Sequence, residues 1–308
     1  YDGRAATYAD QYDPAKLWTN AEYPSNYFRL QLVQRLLAGA EVRSVYELGV
    51  GDATPLVTIA DTGIAVSGND VSPEMVKFAR ANMQSHGHDP EVISLLDAQD
   101  PDAMRAEQAR VGEFDAVMAL GVIPHVNDDA AFVAAMDGFL RPGGRLLLQF
   151  RNAMFSMFTF NRLTKEFILD ELLADVEPVI RDVVAADLDT RLAVDKPPKR
   201  TRPTGDGYDE ILSRFHNPFE LAETVRAQGY EDLQFHWYNY HPAYPMLAES
   251  IDPEEYRKAQ IALEGDTSWR GMFLCSAGIV EATKADAKKK AEAKPEVEIA
   301  PAAVDDDV

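Results

Sequence analysis

The sequence has few thiols and few basic side chains. Cys275 is its one cysteine in 308 residues, which excludes an intrachain disulfide and suits a reducing compartment. It carries 30 Lys and Arg against 51 Asp and Glu, a formal net charge of −21. Nucleic-acid binding depends on clustered basic side chains that release counterions, so this balance argues against a nucleic-acid partner. No His, Cys and Asp cluster has metal-ligand spacing, and we expect no required metal.

Long apolar runs are missing as well. No stretch approaches the ~18 apolar residues that a membrane helix needs, and residues 1–23 lack the basic-then-apolar layout of a signal peptide. We therefore expect no membrane span and a cytoplasmic location. The hydrophobic content of 46% is enough to fill the core of one large domain or two small ones. The oligomeric state is left open.

The most informative stretch begins with an apolar run at residues 45–48. Gly49 and Gly51 follow it, and a helix is predicted at 54–60. This order predicts a strand, a tight turn and a helix, the place where a doubly wound sheet binds a nucleoside-like ligand. Glycine suits such a turn because the backbone must bend sharply and a side chain would occupy space that the ligand requires.

The spacing of the glycines separates two ligand classes. A dinucleotide site needs a third small residue at position 54, where the sequence has Thr54. The pattern acidic-x-Gly-x-Gly-x-Gly is matched by Glu47, Gly49 and Gly51, with Ala53 in place of the last glycine. This stretch resembles the first motif of class I S-adenosylmethionine (SAM)-dependent methyltransferases.

Later elements extend the resemblance to about residues 44–151. A fourth strand is predicted at 114–120 and a helix at 130–140, with His125-Val126-Asn127-Asp128 between them. Arg-Pro-Gly-Gly at 141–144 then predicts a turn before a fifth strand at 145–150. This ordering resembles the second half of the class I core. The resemblance implies an α/β fold: a doubly wound, seven-stranded, mostly parallel sheet with an N-terminal helical cover and an inserted helical lid.

The same reasoning divides the chain into five parts. They are an N-terminal cover and helix (1–40), a SAM-binding core (41–151), an inserted lid (152–215), the C-terminal part of the core sheet (216–281) and a disordered tail (282–308). The lid reads as helical over 152–173 and is rich in Phe, Met and Leu, and residues 196–207 read as loop. Its basic loop, residues 191–202, is either a solvated linker or a contact for an anionic substrate such as a sugar nucleotide. Ser72 and Asn217 are predicted to cap helices. Residues 271–280 are predicted to form a last strand, in which Cys275 is buried.

The resemblance also implies which residues hold SAM. Glu47 would contact the amino-acid portion, and the backbone at Gly49 and Gly51 would approach the cofactor closely. Asp70, at the end of a strand predicted from residue 64, can accept hydrogen bonds from both ribose hydroxyls, although a dehydrogenase places an acid similarly. The remaining candidate cofactor contacts are Val71, Asp97, Ala98 and Leu120. Asp97 with Ala98 would meet adenine, although a helix-capping role for Asp97 is the alternative.

Methylation of a hydroxyl requires a base, and His125 is the first candidate. It follows the fourth strand at the ligand-binding edge, and imidazole titrates near neutrality. The alternative is a histidine that orients the loop or lines the cofactor site. His216, His236 and His241 are second-line candidates. His236 and His241 belong to an aromatic segment that either packs on the sheet or lines a pocket.

These features predict a SAM-dependent methyltransferase that acts on oxygen or nitrogen of a small-molecule or sugar-type acceptor. Two alternatives stay open at this point. One is an NAD-type oxidoreductase, which shares the strand, glycine and acid layout. The other is a non-catalytic SAM-binding or scaffold subunit, since Ala53 replaces a motif glycine.

Overall fold

The computed structural model describes residues 9–19, 23–38, 41–193 and 214–286. Seven strands form one sheet: β1 (Ser44–Leu48), β2 (Ala65–Asp70), β3 (Ile93–Leu95), β4 (Phe114–Ala119), β5 (Leu140–Arg151), β6 (Tyr230–Tyr240) and β7 (Cys275–Lys284). Their spatial order is β3-β2-β1-β4-β5-β7-β6. Strands β1 to β5 pair in parallel, and β7 runs antiparallel to both of its neighbours.

Ten α-helical segments lie in the described part of the chain: α1 (Ser25–Ala38), α2 (Thr54–Ala60), α3 (Pro73–Ser85), α4 (Pro101–Val111), α5 (Asp129–Asp137), α6 (Arg162–Glu166), α7 (Pro178–Arg191), α8 (Pro218–Ala227), α9 (Pro253–Leu263) and α10 (Gly271–Leu274). Several shorter turns of 3₁₀-helix connect them. None of the helices in the described residues is both long and apolar enough to cross a membrane.

The strand order fixes where a ligand can enter. The sequence of connections reverses direction between β1 and β4, and the carboxyl ends of the parallel strands meet at one edge. Ligands of open α/β sheets bind in the crevice at this switch point. The predicted doubly wound, seven-stranded, mostly parallel sheet is confirmed.

Both faces of the sheet are buried, as a mainly parallel sheet requires. On one face Tyr46 stacks on Phe139 with ring centroids 4.2 Å apart. On the other face Val45 and Met118 pack with residues of α2 and α3. The two buried clusters fix the sheet between layers of helices, so its carboxyl edge is a rigid platform.

Local signals predicted two helices closely. Helix α2 has the predicted bounds, and α3 begins after Ser72, whose hydroxyl accepts a hydrogen bond from the Met75 amide (3.3 Å). Pro73 occupies the first turn, where its missing N–H costs nothing. The predicted cap at Asn217 is also present, because its side chain accepts from the Phe219 amide (3.1 Å) at the start of α8.

The prediction for residues 130–150 needs a correction. Helix α5 ends at Asp137, before the predicted residue 140, and β5 begins at Leu140. Leu140 pairs with Phe114, whereas Arg145 pairs with Ala116, so the predicted turn is an irregularity inside one long strand. Burial of Leu140 against the core outweighs the turn chemistry of the residues that follow it.

The predicted strand at 271–280 is also shifted. Residues 271–274 form the helical turn α10, and β7 starts at Cys275. A Cβ on Gly271 would lie 2.5 Å from the Trp237 ring, so the backbone approaches this indole too closely for any other residue. Cys275 is buried, as expected.

The inserted region is helical but broken. Residues 152–173 contain a 3₁₀ segment (Ala153–Phe158), α6 and a π-helical segment (Phe167–Leu172) in place of one helix. Helix α7 follows. The loop material predicted at residues 196–207 and most of the predicted tail lie outside the described residues.

Candidate active site

The glycine turn after β1 is held against β2. The amides of Gly49 and Val50 both donate to the Asn69 carbonyl, at 2.8 and 3.0 Å. Gly49 has φ +71°, and a Cβ there would lie 2.3 Å from Cγ2 of Val122. Gly51 has φ +56°, and a Cβ on it would meet no heavy atom of the described residues within 4 Å. Gly49 is therefore required by protein packing, and only Gly51 leaves open space for a ligand.

Asp70 ends β2 beside this turn, as predicted. Its carboxylate oxygens accept hydrogen bonds from the amides of Gly51 and Ser72, both at 2.9 Å. Burial raises the pKa of Asp70, and these amide hydrogen bonds act against that rise. The contacts orient the carboxylate at the carboxyl edge, next to Gly51.

Glu47, on β1, is 1% exposed. Among the described residues its Oε2 atom finds no hydrogen-bond partner. Burial raises the pKa of this carboxyl well above its usual value, and the charges of Asp52 and Asp70 raise it further, while Arg29 lowers it. Since buried polar atoms are normally satisfied, this oxygen marks a place where another group is expected.

Two residues that the sequence analysis did not select complete this corner. Arg29 on α1 is buried, and its Nη2 donates to the Tyr12 hydroxyl (2.8 Å). Gln149 on β5 is buried, and its Oε1 has no hydrogen-bond partner within the described ranges. Both lie beside Gly121, where a Cβ would be 3.5 Å from Gln149 Oε1 and 3.6 Å from Arg29 Nη1. The sequence held one signal for each residue: Arg29 is a charged side chain among the apolar residues of α1, and Gln149 is an amide side chain within the apolar strand β5.

The remaining predicted cofactor contacts surround the same edge. Val71 is 61% exposed directly after Asp70, and Leu120 is buried at the end of β4. Asp97 is exposed and accepts from the Gln99 amide (2.9 Å), and Ala98 is half-buried. Asp100, not Asp97, caps α4. Helix capping, the alternative role considered for Asp97, is therefore performed by Asp100.

His125 ends a 3₁₀ turn, Ile123–His125, that follows β4. It is half-buried, and its amide donates to the Val122 carbonyl (2.9 Å). Val122 is the residue that contacts Gly49, so the turn of His125 rests on the glycine turn. The structure thus places the candidate base and the candidate cofactor turn in neighbouring loops.

The second-line histidines have other surroundings. His236 lies 2.7 Å from Glu281, across the β6 and β7 pair. His216 is buried, 3.4 Å from Asp129. Burial lowers the pKa of His241 to about 4, and its ring lies 4.5 Å from that of Phe155. His241 is therefore neutral at physiological pH.

An aromatic cluster forms where β5 and β6 end. It consists of Phe155, Phe158, Phe160, His241 and Tyr244. Apart from Phe155 and His241, the two rings that lie closest in this cluster are those of Phe160 and Tyr244, with centroids 5.2 Å apart. Strands β5 and β6 each pair antiparallel with β7, so their carboxyl ends lie at the edge that carries the glycine turn.

The N-terminal segment contacts α1 and the C-terminal part of the chain. Tyr12 contacts Arg29, as described above, and Tyr23 donates to Glu264 (2.5 Å) in the loop after α9. Arg257 on α9 donates to the Leu17 carbonyl (2.6 Å). Burial raises the pKa of Glu264 to about 7. The placement of Leu17 and Tyr23 therefore depends on residues from a distant part of the sequence.

The amino edge of the sheet has a different character. Asp115 accepts from the amides of Arg43 (2.7 Å) and Ser44 (3.0 Å) and from Nε of Arg141 (2.5 Å). Burial acts to raise the pKa of Asp115, but the Arg141 and amide contacts outweigh it and lower the pKa. A cavity of about 150 Å³ is lined partly by Asp115 and Arg141. It lies at the amino edge, away from the glycine turn.

Part of the chain that forms this site matches a known protein family. A family model described as a methyltransferase domain matches residues 46–148. The matched range begins inside β1 and ends inside β5, so it contains the glycine turn, Asp70 and His125.

The chain is similar to two proteins named ubiquinone biosynthesis O-methyltransferase. The one from Xanthomonas axonopodis is 32% identical over 160 residues, which cover 50% of this chain and 64% of the relative. The one from Thiobacillus denitrificans is 28% identical, covering 63% of this chain and 76% of the relative. The chain thus spans less than two thirds of the length of the first relative.

Solved structures were matched at low identity. A SAM-dependent methyltransferase from Archaeoglobus fulgidus is 14% identical, with a TM-score of 0.45 and coverage of 84% of this chain and 97% of that chain. A possible histamine N-methyltransferase from Thermotoga maritima is 14% identical, with a TM-score of 0.48 and coverage of 91% and 96%. The fold assignment rests on the strand order of the sheet.

The residues at the carboxyl edge of the sheet fit SAM. Gly51 leaves room beside the carboxylate of Asp70, and Glu47 and Gln149 present buried oxygens that the described residues do not satisfy. An ammonium group can satisfy such oxygens, and the guanidinium of Arg29 suits a carboxylate. In the described ranges no three His, Cys, Asp or Glu side chains lie close enough to hold a metal ion.

Proposed function

We propose that this chain is a SAM-dependent methyltransferase that methylates an oxygen or nitrogen atom of a small molecule. The observation that carries the proposal is the pair of buried, unsatisfied oxygens of Glu47 and Gln149 at the switch point of the sheet. A methionine-like ammonium group accounts for both. The relatives are named O-methyltransferases, which favours oxygen as the acceptor atom.

Each predicted residue has a role in this proposal. Glu47 and Gln149 accept hydrogen bonds from the ammonium of SAM, and Arg29 pairs with its carboxylate. Asp70 accepts from the ribose hydroxyls. The adenine is held by the side chains that follow β2, β3 and β4, namely Val71, Asp97, Ala98 and Leu120. Gly49 supports the turn through its packing against Val122, and Gly51 lets the backbone approach the ligand.

Bound SAM supplies a methyl group on a positively charged sulfur. The chain itself then needs to hold the acceptor in line with that methyl, and such positioning accounts for much of the catalysis. An imidazole nitrogen of His125 accepts the proton of an acceptor hydroxyl. The aromatic cluster at the ends of β5 and β6 excludes water on the acceptor side.

The acceptor itself is proposed only as a small molecule. The net charge of −21 argues against a nucleic acid, as in the sequence analysis. A sugar-type acceptor remains part of the proposal, because the basic loop at 191–202 could meet an anionic sugar derivative. Most of this loop lies outside the described residues.

Two measurements test the proposal. Calorimetry with SAM and with NAD should give heat for SAM alone. Incubation with methyl-labelled SAM and a protein-free cell extract should move label into a small molecule, whose mass then identifies the acceptor. Absence of SAM binding contradicts the proposal. Tight SAM binding without transfer to any fraction would instead indicate a non-catalytic subunit, the alternative that Ala53 had left open.

A further inference from the structure

Arg214 contacts the chain on both sides of the candidate base. Its amide donates to the carbonyl of Pro124, and its Nη2 donates to the carbonyl of Val126, both at 2.8 Å. Pro124 and Val126 are the immediate neighbours of His125. One residue from a distant part of the sequence therefore binds the carbonyl before His125 and the carbonyl after it.

The guanidinium of Arg214 is also anchored by an acidic residue. Its guanidinium pairs with the carboxylate of Asp129, the first residue of α5. Burial acts to raise the pKa of Asp129, but contacts from His216 and Arg214 outweigh it and lower the pKa, which keeps this carboxyl ionised at neutral pH. The guanidinium is thus fixed between a helix start and the His125 turn.

The backbone around Arg214 is also tied to the sheet. The His216 amide donates to the Arg151 carbonyl (2.7 Å), and the Ala153 amide donates to the His216 carbonyl (3.0 Å). These bonds join residues 214–216 to the end of β5. Motion of the His125 turn relative to β5 would have to break either these bonds or the bonds from Arg214 to the turn.

We propose that Arg214 is a positioning residue, which holds the His125 turn so that its imidazole meets the acceptor. This inference rests on the proposed function, since it requires His125 to act as the base. Arg214 touches neither reacting group. Its effect passes through the two flanking carbonyls, and a base displaced by ~1 Å can lose about a hundredfold in rate.

The test is a double-mutant cycle measured with labelled SAM at saturating concentration. The acceptor is the extract fraction that takes up label with the wild-type chain. The variants are Arg214→Gln, His125→Asn and the double variant, with Arg105→Gln as the matched control. Arg105 forms a surface ion pair with Asp102 on α4. Calorimetry with SAM and circular dichroism check that each variant is folded.

We expect Arg214→Gln to slow transfer about tenfold or more while SAM affinity stays within about twofold. In the His125→Asn background the same change should produce no additional slowing, because the group that Arg214 positions is already gone. Arg214→Lys should recover part of the rate, since an ammonium can still donate to one carbonyl.

Three results overturn the inference. The first is that the Arg214→Gln variant transfers methyl at the wild-type rate. The second is that Arg214→Gln slows transfer by the same factor in the His125→Asn background as in the wild type, which indicates a general structural effect. His125→Asn could also retain the full rate, leaving nothing to position. A wild-type chain that labels no acceptor contradicts the proposed function itself and is seen before any variant is made. If Arg214→Gln does not fold, Arg214→Lys is measured in its place.

Discussion

The two edges of the central sheet differ in the pKa shifts of their acidic residues. At the amino edge, Asp115 accepts two amides and an arginine, and these contacts lower its pKa. At the carboxyl edge, burial raises the pKa values of Glu47, Asp52 and Asp70. The same sheet thus stabilises charge at one edge and disfavours it at the other.

This difference indicates what each edge contributes. A buried polar atom without a partner costs about 1–3 kcal/mol, and that cost can be recovered when a ligand supplies the partner. The carboxyl edge bears this cost at Glu47 and Gln149, within the part of the chain that the structure describes. At the amino edge, the carboxylate of Asp115 has its partners in place. We therefore expect changes at the two edges to separate ligand affinity from stability.

The largest expected effect is that of Gly49→Ala. Its new Cβ would lie 2.3 Å from Val122, and the residue must keep φ +71°. Overpacking and left-handed strain together should lower the free energy of unfolding by about 3 kcal/mol. Urea unfolding measures this, and SAM affinity should fall with it because the turn moves.

Gly51→Ala is the matched change for that prediction. It has φ +56° but meets no described heavy atom within 4 Å. It should cost only about 1 kcal/mol of stability while still weakening SAM, because the methyl occupies the space left for the ligand. If the two variants lost the same stability, the contact of Gly49 with Val122 would not have the destabilising effect predicted here.

Asp70→Asn should weaken SAM about tenfold to a hundredfold in calorimetry. The change removes one of the oxygens that accept from Gly51 and Ser72 and also removes the charge, and hydrogen bonds to a charged group contribute about 1.5–3 kcal/mol. Asp61→Asn is the control, since Asp61 is a surface acid that pairs with His86 and His88. A similar loss of affinity in both variants would contradict a ligand role for Asp70.

Asp115→Asn should lower stability by about 1–2 kcal/mol and leave SAM affinity unchanged. The folded pKa of Asp115 is lowered, so its contribution is present above the unfolded pKa of about 3.9 and is lost as pH falls through the folded value. Urea unfolding at pH 7 and pH 3.5 should show the gap between variant and wild type closing at the lower pH. Weaker SAM binding in this variant would contradict the expectation that the amino edge affects stability and not ligand affinity.

The smallest expected effect is on the stability of the ligand-free Glu47→Gln variant. The folded pKa of Glu47 is raised, so folding favours the protonated form, and its contribution is present below the unfolded value and lost as pH rises. At pH 8 the variant should be more stable than the wild type, by on the order of 1 kcal/mol. The gap should close near pH 4, while SAM affinity is reduced throughout. A variant less stable than the wild type at pH 8 would refute this account.

The sequence was sufficient for the elements whose signals are local. The glycine spacing after an apolar run and Ser72-Pro73 each determine structure within a few residues, and the structure agrees with them. The start of β5 could not be predicted in this way. Leu140 enters the strand because it pairs with Phe114 and is buried, and neither fact can be read from the residues around it.

The candidate site divides similarly. Glu47 and Asp70 follow from their position at strand ends, whereas Arg29, Gln149 and Arg214 come from distant elements. Their contacts with the site arise when α1, β5 and residues 214–216 pack around the carboxyl edge. Residue spacing in the sequence does not predict contacts between distant elements. The sequence therefore predicts the residues at the centre of the site better than those that surround it.

The attachment of Tyr23 to Glu264 has a consequence for synthesis of the chain. The two residues are 241 positions apart in the sequence, and Arg257 and Leu17, which form the second contact, are 240 positions apart. At translation rates of about 5–20 residues per second, the amino-terminal segment leaves the ribosome roughly 10 to 50 seconds before its partners exist. A nascent chain can therefore form the glycine turn well before Tyr23 and Leu17 can reach their partners.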